Sequence, residues 1–296
     1  MTLAQQLERA WRASVGTVVT ETFWYFVLAC SVWLAFSIIF RRAMRSRKIS
    51  TKDATAWQML RELLHSVRSI AIFGLVTALI VLAAINGWTQ LYGRVEKFGW
   101  TYFYLSIVLM VVVHDTYFYW THRLMHHPRL YRTFHHTHHL STNPTPWAAY
   151  AFSPWEALVQ AGIGPLIIFT MPTHPLAFAT FMLWQIGFNV LGHCGYEIFP
   201  SWLLRSRVGV VLNSITHHAQ HHEKFRANYG LYFNVWDRVM GTNHRDYETR
   251  FTEVTSRAAG AVSEPSGETS LETPLRTPHG LAWLMPVKYR VKASSN

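Results

Sequence analysis

The chain has 296 residues, half of them apolar and 15% aromatic, with a formal net charge of +11. That composition excludes a disordered or tail-like chain and favours a protein embedded in a membrane. The charge does not indicate nucleic acid, because the basic residues are scattered or flank apolar runs, as in Arg41, Arg42, Arg45, Arg47 and Lys48, a placement suited to an anionic lipid surface.

The first apolar run, Thr22 to Phe40, has about the ~20 residues a helix needs to cross a hydrocarbon core. Its basic cluster comes after it rather than before it, which reads as a retained span with its N-terminus outside, not a cleaved signal peptide. A second run, Ser69 to Asn86, and a third, Trp100 to Trp120, are joined by a short stretch containing Gly87, Gly93 and Gly99 and form a hairpin. With Arg41 to Lys48 on the cytoplasmic side, the third span returns to the cytoplasm near His122. Trp155 to Met171 and Pro175 to Gly192 make a further apolar pair, broken at Pro172, His174 and Pro175, which brings His193 back to the face carrying His122. Tryptophans and tyrosines such as Trp24, Tyr25, Trp100, Tyr102 and Trp120 lie near span ends, as interfacial rings do. After Arg250 the sequence SEPSGETSLETPLRTP cannot bury a core and reads as a linker.

The expected architecture is all-α: an integral membrane bundle of about four embedded helices, some as hairpins, under a cytosolic histidine-rich helical cap. Its divisions are an N-terminal segment 1–21, a membrane-embedded domain with its cap 22–250, a linker 251–278 and a tail 279–296. No internal repeat is present.

Two cysteines, Cys30 and Cys194, support no disulfide framework, and Cys194 points off the face of its neighbour His193. Histidine is the anomaly: of seventeen, fourteen fall between His114 and His222. They form three clusters, His122-x-x-x-His126-His127, His135-His136-x-His138-His139 and His217-His218-x-x-His221-His222. Helical positions three or four apart share a face, so His122 and His126 aim at one point, as do His135, His138 and His139, and again His218, His221 and His222. Eight such nitrogens exceed what one ion needs, and two ions in a shared cage would use them. Imidazole suits Fe, Zn, Cu and Ni alike, so the residues choose the cage and not its occupant. Acids nearby are few, so the cage is nearly all histidine, unlike the glutamate-rich soluble di-iron bundles. So many buried imidazoles without a metal would leave polar nitrogens unpaired at high cost.

These stretches, HDTYFYWTHRLMHHPRLYRTFHHTHHLSTNPTPWAAYAFSPWEA, NVLGHCGYE and THHAQHHEKFRANYGLYFNVWDRVMGT, resemble the fatty acid hydroxylase/sterol desaturase superfamily over roughly residues 100–245, and PTPWAAYAF with NYGLYFNVWDR is most similar to its sterol C5-desaturase branch. The resemblance implies a non-haem pair of iron ions that activates O2 beside a membrane lipid, giving a hydroxyl group or a double bond, with zinc as an alternative occupant in purified protein. It places ligands on His122, His126, His135, His138, His139, His193, His218, His221 and His222. Some members carry a further histidine where this chain has Asn189, so Asn189 or water takes that place, or the site has one ligand fewer.

Asp115, Glu156 and Asp237 either orient ligand imidazoles through the second ring nitrogen or pair with Arg123, Arg132 and Arg238. His127, His136 and His217 adjoin ligand positions but face elsewhere, His114 is an outer partner of the site, and the lone His65, His174, His244 and His279 are surface or interface residues. Lacking a GxGxxG fingerprint, a cysteine-rich cluster motif and a haem domain, the chain needs a separate electron donor, such as a ferredoxin, a cytochrome b5-like protein or a reductase. The substrate would be a membrane lipid of sterol, hopanoid, carotenoid, sphingoid or fatty acyl type, and the membrane a bacterial inner membrane or the endoplasmic reticulum. A metal transporter or sensor would carry its ionisable residues near the bilayer midplane, and a zinc-dependent membrane hydrolase would need a general base such as that of HExxH, which is missing.

Overall fold

A computed structural model describes residues 1–257. Among the described residues four helices are long and apolar enough to cross a membrane: α1 (Leu3–Leu34, continued by a π-helical turn Ala35–Ile39), α2 (Ala56–Ile85), α3 (Gly99–Met125) and α8 (Pro175–Gly192). Between and after them come α4 (Pro128–Phe134), α5 (His136–His139), α6 (Pro154–Ala161), α7 (Ile163–Thr170), α9 (Ile215–Lys224), α10 (Val235–Met240) and α11 (Tyr247–Ser256). The described residues contain isolated bridges but no strand.

Helix starts reflect local chemistry. Thr2 and Gln5 form a capping box ahead of α1, the Thr55 hydroxyl caps α2, and His174 with Pro175 opens α8. The first helix begins at Leu3, well before the apolar run at Thr22, because that cap fixes its first turn and residues 3–21 contain no proline to break it. Outward-facing positions on the long helices are apolar, with Val19 62% and Leu79 67% exposed, the pattern expected where the surrounding solvent is hydrocarbon. The α1–α2 contact is close because Gly74 has no side chain: a Cβ there would stand 2.5 Å from Val18 Cγ2 and 3.1 Å from Ser14 Oγ. Small residues at helix crossings serve the same purpose throughout membrane bundles.

The apolar run Trp155 to Met171 does not form one span. It divides at Gly162 into α6 and α7, each eight residues long, or about 12 Å of rise against a ~30 Å hydrocarbon core. Two causes act together. Pro165 cannot donate a backbone bond to the Ala161 carbonyl, and the Tyr117 hydroxyl occupies the space a Gly162 Cβ would need, 2.5 Å away, while donating to the Val159 carbonyl at 2.6 Å.

The connections sort to two ends. At one, residues 90–92 pair with Ile168 and Thr173. At the other, the chain after α1 docks on the loop after α8 (Ile49 N–H to Gly195 O, 3.0 Å; Arg47 Nη1 to Phe199 O, 2.7 Å), and α2 holds the 140–145 loop through Arg61, Gln58 and Glu62. The segment 146–152 turns inward between α1, α2 and α8, where Tyr25 and Ser66 both donate to the Trp147 carbonyl, at 2.7 and 2.9 Å. An unpaired carbonyl there would cost several kcal/mol, so those two hydroxyls fix how deeply the segment sits. Its rings, Tyr150 and Phe152, join Tyr25, Ile70, Ile186 and Val190 in one core. A second core joins Phe103 and Met110 of α3 to Ile163 and Ile167 of α7 and Phe181 of α8. At the C-terminal side α11 buries Phe251 and Val254, carrying the fold past the composition break at Arg250. The rest of the expected linker 251–278, the tail 279–296 and His279 lie outside the described residues.

Candidate metal centre

The nine expected ligand histidines meet at the end of the bundle where α3 and α8 finish. They form two adjacent groups: His122, His126, His135, His139 and His221, and His138, His193, His218 and His222, each group with its ligand atoms within 4.8 Å of one another. All are buried except His126, which is half-buried. His122 and His126 come from the end of α3, His135 from the junction of α4 and α5, and His193 from the end of α8.

Helices α5 and α9 serve both groups, and here the structure departs from the reading of each HxxHH as aimed at one point. Consecutive helical residues are rotated by about 100°, so His139 and His221 turn to the first group while His138 and His222 turn to the second. His135 parts from His138, and His218 parts from His221. The two groups stay in contact, with the His139 and His222 rings 4.9 Å apart.

The protonation state is set from outside the groups. Nδ1 of His122 meets the Tyr229 carbonyl (2.8 Å), that of His193 the Asn189 carbonyl (2.7 Å), that of His221 the Ala227 carbonyl (2.7 Å) and that of His222 the Ser141 carbonyl (2.9 Å). A carbonyl only accepts, so each of these Nδ1 atoms carries the proton and each Nε2 presents a lone pair inward. Nε2 of His126, His139 and His221 form a triangle with sides of 3.2, 3.0 and 3.2 Å. Nε2 of His218 lies 3.0 Å from that of His193 and 3.2 Å from that of His222. One proton on one side of such a triangle leaves the third lone pair facing another nitrogen. A cation at the centre satisfies all three. Metal–imidazole bonds of about 2.0–2.1 Å put neighbouring nitrogens about 2.9 Å apart in an octahedron and about 3.4 Å apart in a tetrahedron, and the closest Nε2 separations run from 2.9 to 3.4 Å. The donor set therefore fits a metal pair.

Burial, reinforced by the neighbouring imidazoles, holds the histidines neutral. It lowers His126 to about 2 and drives His135, His138, His139, His218, His221 and His222 well below the usual imidazole range, while burial alone brings His193 to about 4. Neutral imidazole is the form that binds metal.

Of the three acids, only Glu156 reaches a clustered ring: its Oε1 lies 2.6 Å from His135 Nδ1. Burial pushes this carboxyl well above the usual range, so a positive charge on the far side of the His135 ring is what would stabilise it as a carboxylate. Asp115 and Asp237 touch no clustered imidazole. Asp115 accepts from the Tyr232 and Phe233 N–H groups, and Asp237 from those of Tyr229 and Gly230 and from the Thr242 hydroxyl. They hold the 229–233 loop, whose Tyr229 carbonyl orients His122. Asn189 does not join either group: its side-chain amide donates to the Ala149 carbonyl at 2.7 Å, and its backbone carbonyl receives His193.

The other histidines separate cleanly. His217 is buried on the opposite face of α9 against Asn243 and Asp237, His127 caps α4, His136 is exposed, and His244 accepts from Gln220. His114 bonds the Tyr232 hydroxyl at 2.9 Å and lines a cavity instead of touching the groups. The orienting carbonyls of Tyr229, Ala227 and Ser141 had no signal in the sequence, since every residue carries a carbonyl.

That cavity, of about 690 Å³, runs between α1, α2, α3, α7 and α8 with mostly apolar walls. Its upper lining includes Phe118, 4.9 Å from the His122 ring, Phe152, 5.3 Å from the His138 ring, and Asn189, one turn before His193. An apolar chamber among membrane-length helices thus lies one layer of side chains from two histidine groups that could hold metal.

The family model for fatty acid hydroxylase matches residues 107–242, which contain all nine clustered histidines. A Delta(7)-sterol 5(6)-desaturase of Gibberella zeae is 33% identical over 74% of the chain and 65% of its own length. A second, from Aspergillus fumigatus, is 30% identical over 75% of the chain and 74% of its own length, and the lathosterol oxidase of Mus musculus is 30% identical over 62% and 61%. The chain thus spans a little under two thirds of the Gibberella and mouse relatives. No solved structure matches it. The chain belongs to the fatty acid hydroxylase family, with sterol desaturases among its relatives.

Proposed function

We propose that this protein is a membrane-bound oxygenase of the di-iron type that desaturates or hydroxylates a lipid, of which a sterol-like molecule is the best-supported class. The observation that carries the reading is an apolar cavity whose lining residues Phe118 and Phe152 stand against the His122 and His138 rings of the two clustered groups. The relatives' names support a sterol-like substrate.

His122, His126, His135, His139 and His221 would hold one ion and His138, His193, His218 and His222 the other. The bound pair supplies the O2-derived oxidising power that no amino-acid side chain provides. The chain's own residues do the rest. Backbone carbonyls and Glu156 fix ring orientation and tautomer, Phe118 and Phe152 exclude water from the upper cavity, and the helices admit a lipid with its body in hydrocarbon. Hydroxylation consumes O2, two electrons and two protons and yields the alcohol and one water. Desaturation with the same inputs yields the alkene and two waters. The electrons come from a separate donor, a ferredoxin, a cytochrome b5-like protein or a reductase. The spans cross the membrane with the histidine end on the cytosolic side, as the basic stretch Arg41–Lys48 beside that end supports, in the endoplasmic reticulum or a bacterial inner membrane.

The test loads purified full-length chain with ferrous iron and monitors O2 uptake and lipid products by mass spectrometry, with a reductant and redox partner present. O2-dependent appearance of an alcohol or alkene, lost in His138→Ala, is the expected result. Zinc as the only bound metal, with no O2 uptake and unchanged lipids, would sink the proposal.

A further inference from the structure

The cavity contains a polar patch that the histidine groups do not use. Tyr150, only 1% exposed, places its hydroxyl 3.0 Å from Gln185 Oε1 and 3.3 Å from Glu21 Oε2. All three residues line the cavity, on the 146–150 turn, α8 and α1. An ionisable side chain within a membrane-length helix is costly, and such residues usually mark a function.

The bonding leaves a defined remainder. Tyr150 has one proton for two acceptors. Gln185 Nε2, a donor, and Glu21 Oε1 make no hydrogen bond among the described residues. A donor and an acceptor on two side chains that share the Tyr150 hydroxyl, in a mostly apolar cavity, are the complement of a hydroxyl group, which both gives and receives. A wholly apolar ligand would leave them buried without partners, at a cost a hydroxylated one avoids.

Depth fixes what that hydroxyl is not. Gln185 lies two helical turns before His193, about 12 Å of rise, so a group bonded there is held away from the metal centre. We propose that Glu21, Tyr150 and Gln185 are a specificity site for a hydroxyl of the bound lipid, anchoring it so that a different carbon is oxidised. This rests on the cavity being the lipid's seat, as the proposed function holds. The hydroxyl is an anchor and survives the reaction.

The test separates binding from turnover. Full-length protein is equilibrated with nanodiscs containing cholestanol or cholestane, or 1-octadecanol or octadecane, at matched mole fractions, and retained probe is quantified by mass spectrometry. The alcohol of at least one pair is expected to bind about 10-fold or more above its hydrocarbon, and Gln185→Met and Tyr150→Phe, which keep volume, to erase most of that preference with metal content unchanged. Glu21→Leu provides a third variant should either misfold. Equal binding of alcohol and hydrocarbon to the unmodified protein, or a preference that survives both substitutions, would overturn the site. Absence of O2-dependent oxidation with the preference intact would instead overturn the oxygenase reading and leave the hydroxyl site standing.

Discussion

The two histidine groups draw on the same two helices, α5 and α9, yet they are built differently. The first has five imidazoles, one of them tied to a carboxylate through the His135–Glu156 contact. The second has four, and the contacts behind His193 and His222 are backbone carbonyls alone. A group with a spare ligand tolerates loss better than one without, and a carboxylate behind an imidazole raises its basicity more than a neutral carbonyl does. The comparison teaches that two ions held side by side need not be held equally.

The largest expected effect breaks the four-membered group. His222→Ala leaves three imidazoles there and should reduce metal content by about one ion per chain, measured by inductively coupled plasma mass spectrometry, with turnover down by a thousandfold or more. His126→Ala, from the five-membered and partly open group, should retain more metal than His222→Ala; the opposite ranking would remove the distinction.

Glu156→Ala comes next. Loss of such an outer partner typically costs about 10–100-fold in metal affinity, and a chelator titration should show that loss in one of two ions only. Equal weakening of both would mean that the groups act as a single unit.

Acid should act on both groups in one direction. In the metal-free chain burial holds His126 of the first group at about 2 and His193 of the second at about 4, against an ordinary 6.5, so below about 6.5 the unfolded chain binds more protons than the folded one. Stability is then full above about pH 6.5 and falls as pH drops toward 4. Thermal unfolding in detergent across that range measures it, and bound metal should shift the loss to lower pH because protons and metal compete for the same nitrogens.

The smallest effects lie outside the groups. Gly74→Val forces α1 from α2 and should cost about 1–3 kcal/mol of stability with metal content unchanged. His136→Ala, on an exposed face beside two clustered residues, should stay within about 0.5 kcal/mol and leave turnover intact.

How much was legible from residue order differs by feature. Span lengths at α3 and α8 come from apolar runs, which are local, whereas α2 begins at Ala56, well before its run at Ser69. The Trp155–Met171 run misled because its break depends on Tyr117, far away in sequence, as well as on Pro165. The nine clustered histidines stood out by spacing and resemblance, but their partition between two groups did not, since neighbours such as His138 and His139 diverge by a rotation whose targets are supplied by α3, α8 and α9. Asp115 and Asp237 were equally plausible as ring partners by residue type, and only the folded 229–233 loop shows where their bonds go.

Sequence alone therefore determined the apolar spans, the abundance of imidazole and the absence of enough acid for a carboxylate-rich cage, because composition and short-range period are properties of neighbouring residues. Tertiary structure alone decided which nitrogens face one another, which carbonyls lock their tautomers and where the cavity lies beside them. Those depend on contacts such as His122 with Tyr229 and Tyr150 with Glu21, 107 and 129 residues apart in the chain, and no local pattern encodes distances set by helix packing.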